Sequence, residues 1–361
     1  MVLPISVCIL TQNEEEYICD AIHSIKPFVK EIIVLDTGST DSTVSKARNE
    51  GARVAQSDWQ EDFSEARNKL IELAQEKFIF MMDADERYLG TEDELKEYIH
   101  ALSDSPGKVS IINEVSENEK TETYITRIFP AFKGYYYQGI IHEQLTNETS
   151  DYKVHRTNIK LLHIGYQKHI IESKNKLNRN ISLLLKQLND AEDDIYTLFQ
   201  LGRTYYVAKE FTEACVFLEK AYLLSNNSYS PSSLLPSILF YYGYSLLKKK
   251  AWSELLNLLA TALKSYPDYT DLYFMYGSYI IESANVNLFS KLPEIYNTCL
   301  ELGEADSNKY ETVTGVGTFK ALYNLGLYYE ITNQKQKAVE CYRLSHSYGY
   351  SLAKKRLDEL I

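Results

Sequence analysis

The chain has 361 residues, of which 45% are hydrophobic, enough for two or three globular domains with cores of their own. Its formal net charge of −12 argues against nucleic acid or an anionic membrane as partner, since both reward basic patches. The five cysteines lie far apart with no Cys-x-x-Cys, and no apolar stretch reaches membrane-span length, so a zinc site, a disulfide framework and a membrane span are not expected, and a cytoplasmic protein is.

The first predicted strand, residues 5–10, breaks into the polar run Thr11-Gln12-Asn13-Glu14-Glu15. An amphipathic helix over about 15–25 follows, because Ile18, Ala21, Ile22 and Ile25 recur at helical spacing. A second strand, 31–36, runs into Asp36-Thr37-Gly38-Ser39-Thr40-Asp41, where Asp41 or Thr40 can cap a helix starting near Ser42. A short strand at 53–55 leads through Asp58-Trp59 to a helix over 63–75, and the apolar run 78–82 is the fourth strand. It ends in Asp83-Ala84-Asp85, two carboxylates that suit a hard divalent ion such as Mg²⁺ or Mn²⁺ against a diphosphate. An isolated Asp-x-Asp is a weak signal. Strands alternating with helices of this length predict a parallel sheet with crossover helices, in which ligands bind beyond the carboxyl ends of the strands. All these polar runs fall at such ends.

Further along, Tyr135-Tyr136-Tyr137 cannot all be buried on one strand face, and one of them is expected to line an acceptor cleft. A strand over 159–163 ends in His163. Near Tyr166 strand patterns give way to helical patterns rich in Leu and Tyr, so the predicted domains are 1–166 and 167–361. Gly202, Gly243, Gly277 and Gly326, each set among aromatics, repeat at spacings of 41, 34 and 49 residues. Only one of these matches the tetratricopeptide period of about 34, so the repeats are degenerate helix pairs that must stack to cover their apolar faces. Pro231, Pro236 and Pro267 fall where helices should end.

Taken together, Thr11-Gln12-Asn13-Glu14, Val34 through Thr43, Phe63-Ser64-Glu65-Ala66-Arg67-Asn68 and Asp83-Ala84-Asp85-Glu86 resemble the family 2, GT-A-type glycosyltransferases over roughly the first 165 residues. The Phe-Ser-x-Ala-Arg-Asn block, His142-Glu143, the segment His163-Ile164-Gly165-Tyr166 and the helices behind them resemble more closely the bacterial peptide S-glycosyltransferases, which attach sugars to cysteine in bacteriocin precursors. The layout is also similar to transferases of lipopolysaccharide core or capsule. Many relatives carry a second Asp where this chain has Thr37. The implied fold is an α/β nucleotide-diphospho-sugar transferase (GT-A, Rossmann-like) domain followed by an all-α tetratricopeptide-like domain.

The resemblance implies a UDP-sugar donor, Mg²⁺ or Mn²⁺, and an acceptor peptide or glycan. Asp85 would ligate the metal, with Asp83 as a water-mediated ligand or ribose contact and His163 as a third contact to metal or diphosphate. Asp36 would meet the nucleobase or ribose, or else end its strand and cap a turn. Thr11, Asn13, Glu14 and Ser39 would line the donor pocket, and Arg67 would pair with phosphate or hold Asp83 in place. Glu143 is the first candidate for the base and His142 the second. The helical half would grip the peptide or build a homodimer. A reading from another class is a non-enzymatic scaffold with a degenerate front domain.

Overall fold

The computed structural model describes residues 2–101, 104–116, 119–149, 152–164, 169–226, 234–307 and 309–360. It divides into two compact units, Met1–Gln187 and Leu188–Ile361. The first unit is α/β. Its strands are β1 (Leu3–Thr11), β2 (Val29–Asp36), β3 (Arg53–Gln56), β4 (Phe78–Asp83), β5 (Glu86–Tyr88), β6 (Gly107–Ser116), β7 (Glu119–Pro130), β8 (Tyr136–Gln138), β9 (Gln144–Thr146) and β10 (His155–His163). Its helices are α1 (Ile18–Ile25), α2 (Thr43–Asn49), α3 (Phe63–Leu73), α4 (Glu92–Ala101) and α5 (His169–Asp190).

Among the described residues the main sheet runs in the order β3-β2-β1-β4-β7-β6-β10-β5. As expected, β3, β2, β1 and β4 are parallel, with α1, α2 and α3 connecting β1 to β2, β2 to β3 and β3 to β4. Beyond β4 the expectation of a parallel sheet gives way. β7 is antiparallel to both β4 and β6, β10 is parallel to β6, and β5 is antiparallel to β10. β6 and β7 follow one another too closely for the dozen-residue crossover that parallel pairing needs.

Period-two alternation divides the buried side chains between the two faces of the sheet. Ile5, Val7, Ile9, Val34, Phe80 and Met82 pack with Ile18 and Ile22 of α1 and Leu95 and Tyr98 of α4. Cys8, Ile33, Leu35, Ile79 and Met81 pack on the other face with Ala66 and Leu70 of α3 and with Tyr135, Tyr137 and Leu145. The three tyrosines follow the same alternation: Tyr135 and Tyr137 are buried and Tyr136 is exposed.

The second unit is helical: α6 (Ile195–Val207), α7 (Phe211–Asn226), α8 (Leu235–Lys249), α9 (Trp252–Ser265), α10 (Thr270–Glu282), α11 (Leu292–Leu302), α12 (Phe319–Ile331), α13 (Lys335–Ser347) and α14 (Ser351–Leu360). Successive helices pack on each other around a large apolar core, with a smaller cluster of Ala338, Tyr342, Ala353 and Leu357 in the last two helices. The repeated glycines sit where a neighbouring helix comes too close for a side chain. A Cβ on Gly277 would lie 2.7 Å from the Tyr296 ring, and one on Gly326 would lie 2.5 Å from the Tyr342 ring. Pro236 opens α8 and Pro267 separates α9 from α10, whereas Pro231, Gly165 and Tyr166 lie outside the described residues. α5, assigned from sequence to the helical half, falls mainly within the first unit. The Ile140 amide donates to Gln187 Oε1 at 2.7 Å, and Lys186 pairs with Glu61 at 3.2 Å. No described helix is long and apolar enough to cross a membrane.

Candidate active site

The carboxyl ends of β1, β2, β4 and β10 open into a cleft of about 420 Å³ lined by Thr11, Glu14, Thr37, Arg67, Asp83, Asp85, His163 and side chains of α5. The cleft begins with the β1 and β2 ends, which are tied to each other. Thr37 donates its amide to the Thr11 carbonyl at 3.0 Å, Asn13 donates its amide to Ser39 Oγ at 2.8 Å, and Thr40 donates its amide to Asn13 Oδ1 at 2.8 Å. Asn13 holds the left-handed conformation, φ 57°, which asparagine tolerates better than most residues. Asp36 is fully buried, and its carboxylate accepts from the amides of Gly38 and Ser39 at 3.1–3.3 Å. These bonds hold the turn, and Asp36 is not among the side chains that line the cleft. Asp41 accepts from the Thr43 amide at 2.9 Å and so caps α2 from one residue upstream of Ser42.

Asp83 and Asp85 have different surroundings. Asp83 is gripped from two sides: Arg67 Nη2 reaches its Oδ1 at 3.0 Å, and Arg127 Nη2 of β7 reaches its Oδ2 at 2.6 Å. Burial alone would raise its carboxyl, but Arg127 and then Arg67 outweigh burial and hold it well below the usual carboxylate range. Arg127 also contacts Glu86 at 3.3 Å, and Glu86 accepts the Asp83 amide at 2.8 Å. Burial pushes the Glu86 carboxyl up, against the pull of Arg127 and reinforced by the like charge of Asp83. Asp85 stands in the turn after β4, where its Oδ2 meets His163 Nε2 at 2.9 Å. The backbone ensures that meeting, because the Ile164 amide donates to the Asp85 carbonyl at 3.0 Å. The hydrogen bond to Asp85 raises the His163 pKa, with burial opposing it.

The Phe-Ser-x-Ala-Arg-Asn block follows from what each side chain does on α3. Asp62 caps the helix through the Glu65 amide at 3.0 Å. Phe63 lines the cleft and stacks edge-on with Trp59 at 4.7 Å. Arg67 turns inward to Asp83 and donates its Nε to Glu143 Oε1 at 2.5 Å. Asn68 behaves as a strand neighbour of β8, donating to the Tyr137 carbonyl at 2.9 Å and accepting the Tyr137 amide at 2.7 Å.

Of the residues singled out from sequence, Thr11, Glu14, Arg67, Asp83, Asp85 and His163 converge on the cleft. Asn13, Asp36 and Ser39 brace the loops behind it. Glu143 is held by Arg67, and His142 precedes it in the left-handed region, φ 55°; neither lines the cleft. Sequence reasoning missed Arg127, whose partners lie on other strands, and Lys176 and Arg179 of α5, whose spacing of three marks a shared helix face.

Among the described residues no group of three or more His, Cys, Asp or Glu is arranged around a metal position. A hard divalent ion needs only one or two protein groups, since diphosphate and water complete its shell. The Asp85–His163 pair fits that requirement, whereas Asp83 is already neutralised by two guanidinium groups.

Residues 6–159 match the family model "Glycosyl transferase family 2". A prophage-derived glycosyltransferase, SunS, of Bacillus subtilis is 28% identical over 231 residues, covering 59% of this chain and 52% of its own. A TPR repeat-containing protein of Synechococcus elongatus is 28% identical over 210 residues, covering 55% of this chain and 51% of its own. An uncharacterized glycosyltransferase of Rickettsia felis is 38% identical over 102 residues, covering 27% of this chain and 34% of its own. The chain thus spans about half the length of the first two.

Proposed function

We propose that this chain, a glycosyltransferase family 2 domain followed by tetratricopeptide-like helices, transfers a hexose with inversion from a UDP-sugar to a cysteine of a bacteriocin precursor peptide. The sugar is of the glucose or N-acetylglucosamine type. The observation that carries the donor side is the unequal pair of aspartates: Asp83 is neutralised by Arg67 and Arg127, and Asp85 is left beside His163 at the strand ends. Asp85 and His163 would hold Mg²⁺ or Mn²⁺. Once bound, the ion would screen the negative charge gathering on the departing nucleoside diphosphate. Thr11 and Glu14 line the same cleft, and the clamped Asp83 offers a carboxylate edge to the ribose or to a metal-bound water.

Two features support the acceptor. The first is the resemblance carried by Phe-Ser-x-Ala-Arg-Asn, His142-Glu143 and the helices behind them, together with the SunS relative. The second is the engagement of the carboxylates: Asp83 and Glu143 are paired with arginine and Asp85 with histidine. An acceptor that already carries some thiolate near neutral pH asks least of such a site. Glu143 then acts through Arg67 as a positioning residue. The test is incubation with UDP-glucose or UDP-N-acetylglucosamine, Mg²⁺ or Mn²⁺, and peptides carrying Cys or Ser at one position, with products weighed by mass spectrometry. One added hexose on the Cys peptide is expected. Sugar found on a glycan acceptor instead would redirect the assignment to glycan assembly, and no transfer from any nucleotide sugar would leave a scaffold.

A further inference from the structure

Arg67, the residue best suited by type and position to meet a phosphate, is otherwise engaged. Its Nε lies on Glu143 and its Nη2 on Asp83, and its Nη1 is buried and has no partner among the described residues. Arg127 is likewise held by Asp83 and Glu86. A nucleoside diphosphate entering the cleft would meet Asp85 with its charge unmatched by any arginine of α3 or β7. The cations lining the cleft from another element are Arg179 and, one turn earlier on α5, Lys176. The Arg179 guanidinium lies over the Phe63 ring, 5.5 Å from its centroid. That ring fixes its direction without consuming its donors. Its polar partner is the neutral Asn180 side chain at 3.3 Å, and among the described residues no carboxylate pairs with it. A planar guanidinium with donors in reserve, mounted on an aromatic face and lining the cleft, is suited to two phosphate oxygens at once.

We propose that Arg179, with Lys176 beside it, binds the diphosphate of the donor, so that α5 completes a donor site otherwise built at the ends of β1, β2, β4 and β10. The proposal rests on the nucleotide-sugar reading above. Both residues lie outside the segment that matches the family model.

The test is calorimetric titration of the full chain with nucleoside diphosphates (UDP first), with pyrophosphate and with uridine, in EDTA and again with Mn²⁺. In Arg179→Gln, UDP and pyrophosphate should each bind about tenfold more weakly, while uridine stays within about twofold of wild type. Arg179→Lys should recover part of the loss, and Lys176→Gln should show a smaller one. The loss should persist in EDTA, which separates it from any effect on a metal. UDP binding within about twofold of wild type in the Arg179→Gln, Lys176→Gln double variant would overturn the proposal alone. A wild-type chain that binds no nucleoside diphosphate would overturn the nucleotide-sugar reading and the proposal with it.

Discussion

Asp83 and Asp85 are two positions apart in the chain and carry the same side chain, yet their neighbours assign them different work. Two arginines from α3 and β7 surround Asp83, whereas Asp85 faces one imidazole. Asp85→Ala removes a group outside the clamp that Arg67 and Arg127 close on Asp83. We expect it to abolish transfer while the unfolding midpoint in urea stays near that of wild type; full activity in this variant would remove the metal assignment. Arg127→Ala is the opposite case. It leaves the buried Glu86 without its arginine and Asp83 with Arg67 alone, and breaking one side of a buried pair costs about 3–5 kcal/mol. Urea denaturation should report a loss of that size, and a change below about 1 kcal/mol would mean that the clamp is dispensable.

Among the elements, the helical half turns on a few close approaches. Gly277 meets the rigid ring of Tyr296, while Gly243 meets Met275, whose Sδ would lie 2.4 Å from an added Cβ. A thioether can rotate aside and a packed tyrosine cannot. Gly277→Ala should therefore cost about 1–3 kcal/mol. Gly243→Ala should lie within about 1 kcal/mol of neutral, because the helix propensity gained offsets the contact. Equal losses in thermal or urea melts would contradict the distinction. Asp271 anchors α10 to the segment after α11, accepting from the Val313 amide at 2.8 Å and from Thr312 Oγ1 at 2.7 Å. Burial, with the like charge of Glu304 adding to it, pushes its pKa up to about 6. The unfolded chain releases this proton near 3.9, so the native state binds it more tightly. The stability it contributes is complete below about 4 and is lost as pH rises through about 6. The loss is at most roughly 3 kcal/mol. Asp271→Asn should flatten that part of the profile between pH 4 and 7.5; a slope identical to wild type would mean that another group supplies it.

For the molecule as a whole, each unit has its own apolar core. A chain ending after Asp190 keeps both cores of the α/β unit together with α5 and the cleft it lines. Such a truncation should retain nucleotide binding and hydrolysis of the donor while losing peptide affinity by about tenfold or more, the scale of one lost contact set. If donor hydrolysis falls in parallel with peptide binding, the helical half supports the front unit and does not hold the acceptor.

Local periodicity made the strands and helices of the first 83 residues legible, because alternation at two and recurrence at 3.6 are written into neighbouring positions. The polar runs at strand ends were legible for the same reason, and with Arg67 of α3 they bring Thr11, Glu14, Asp83, Asp85 and His163 to one cleft. The role of Asp36 could not be chosen from sequence, since a carboxylate that caps a turn and one that faces a nucleobase occupy the same position in a motif. The antiparallel course of β7, the Arg127 clamp across 44 residues, the Arg67–Glu143 contact across 76 and the cations of α5 came only with the folded chain. A side chain's partner across such a separation depends on which strands lie side by side, and that is decided by how the whole sheet buries its two faces.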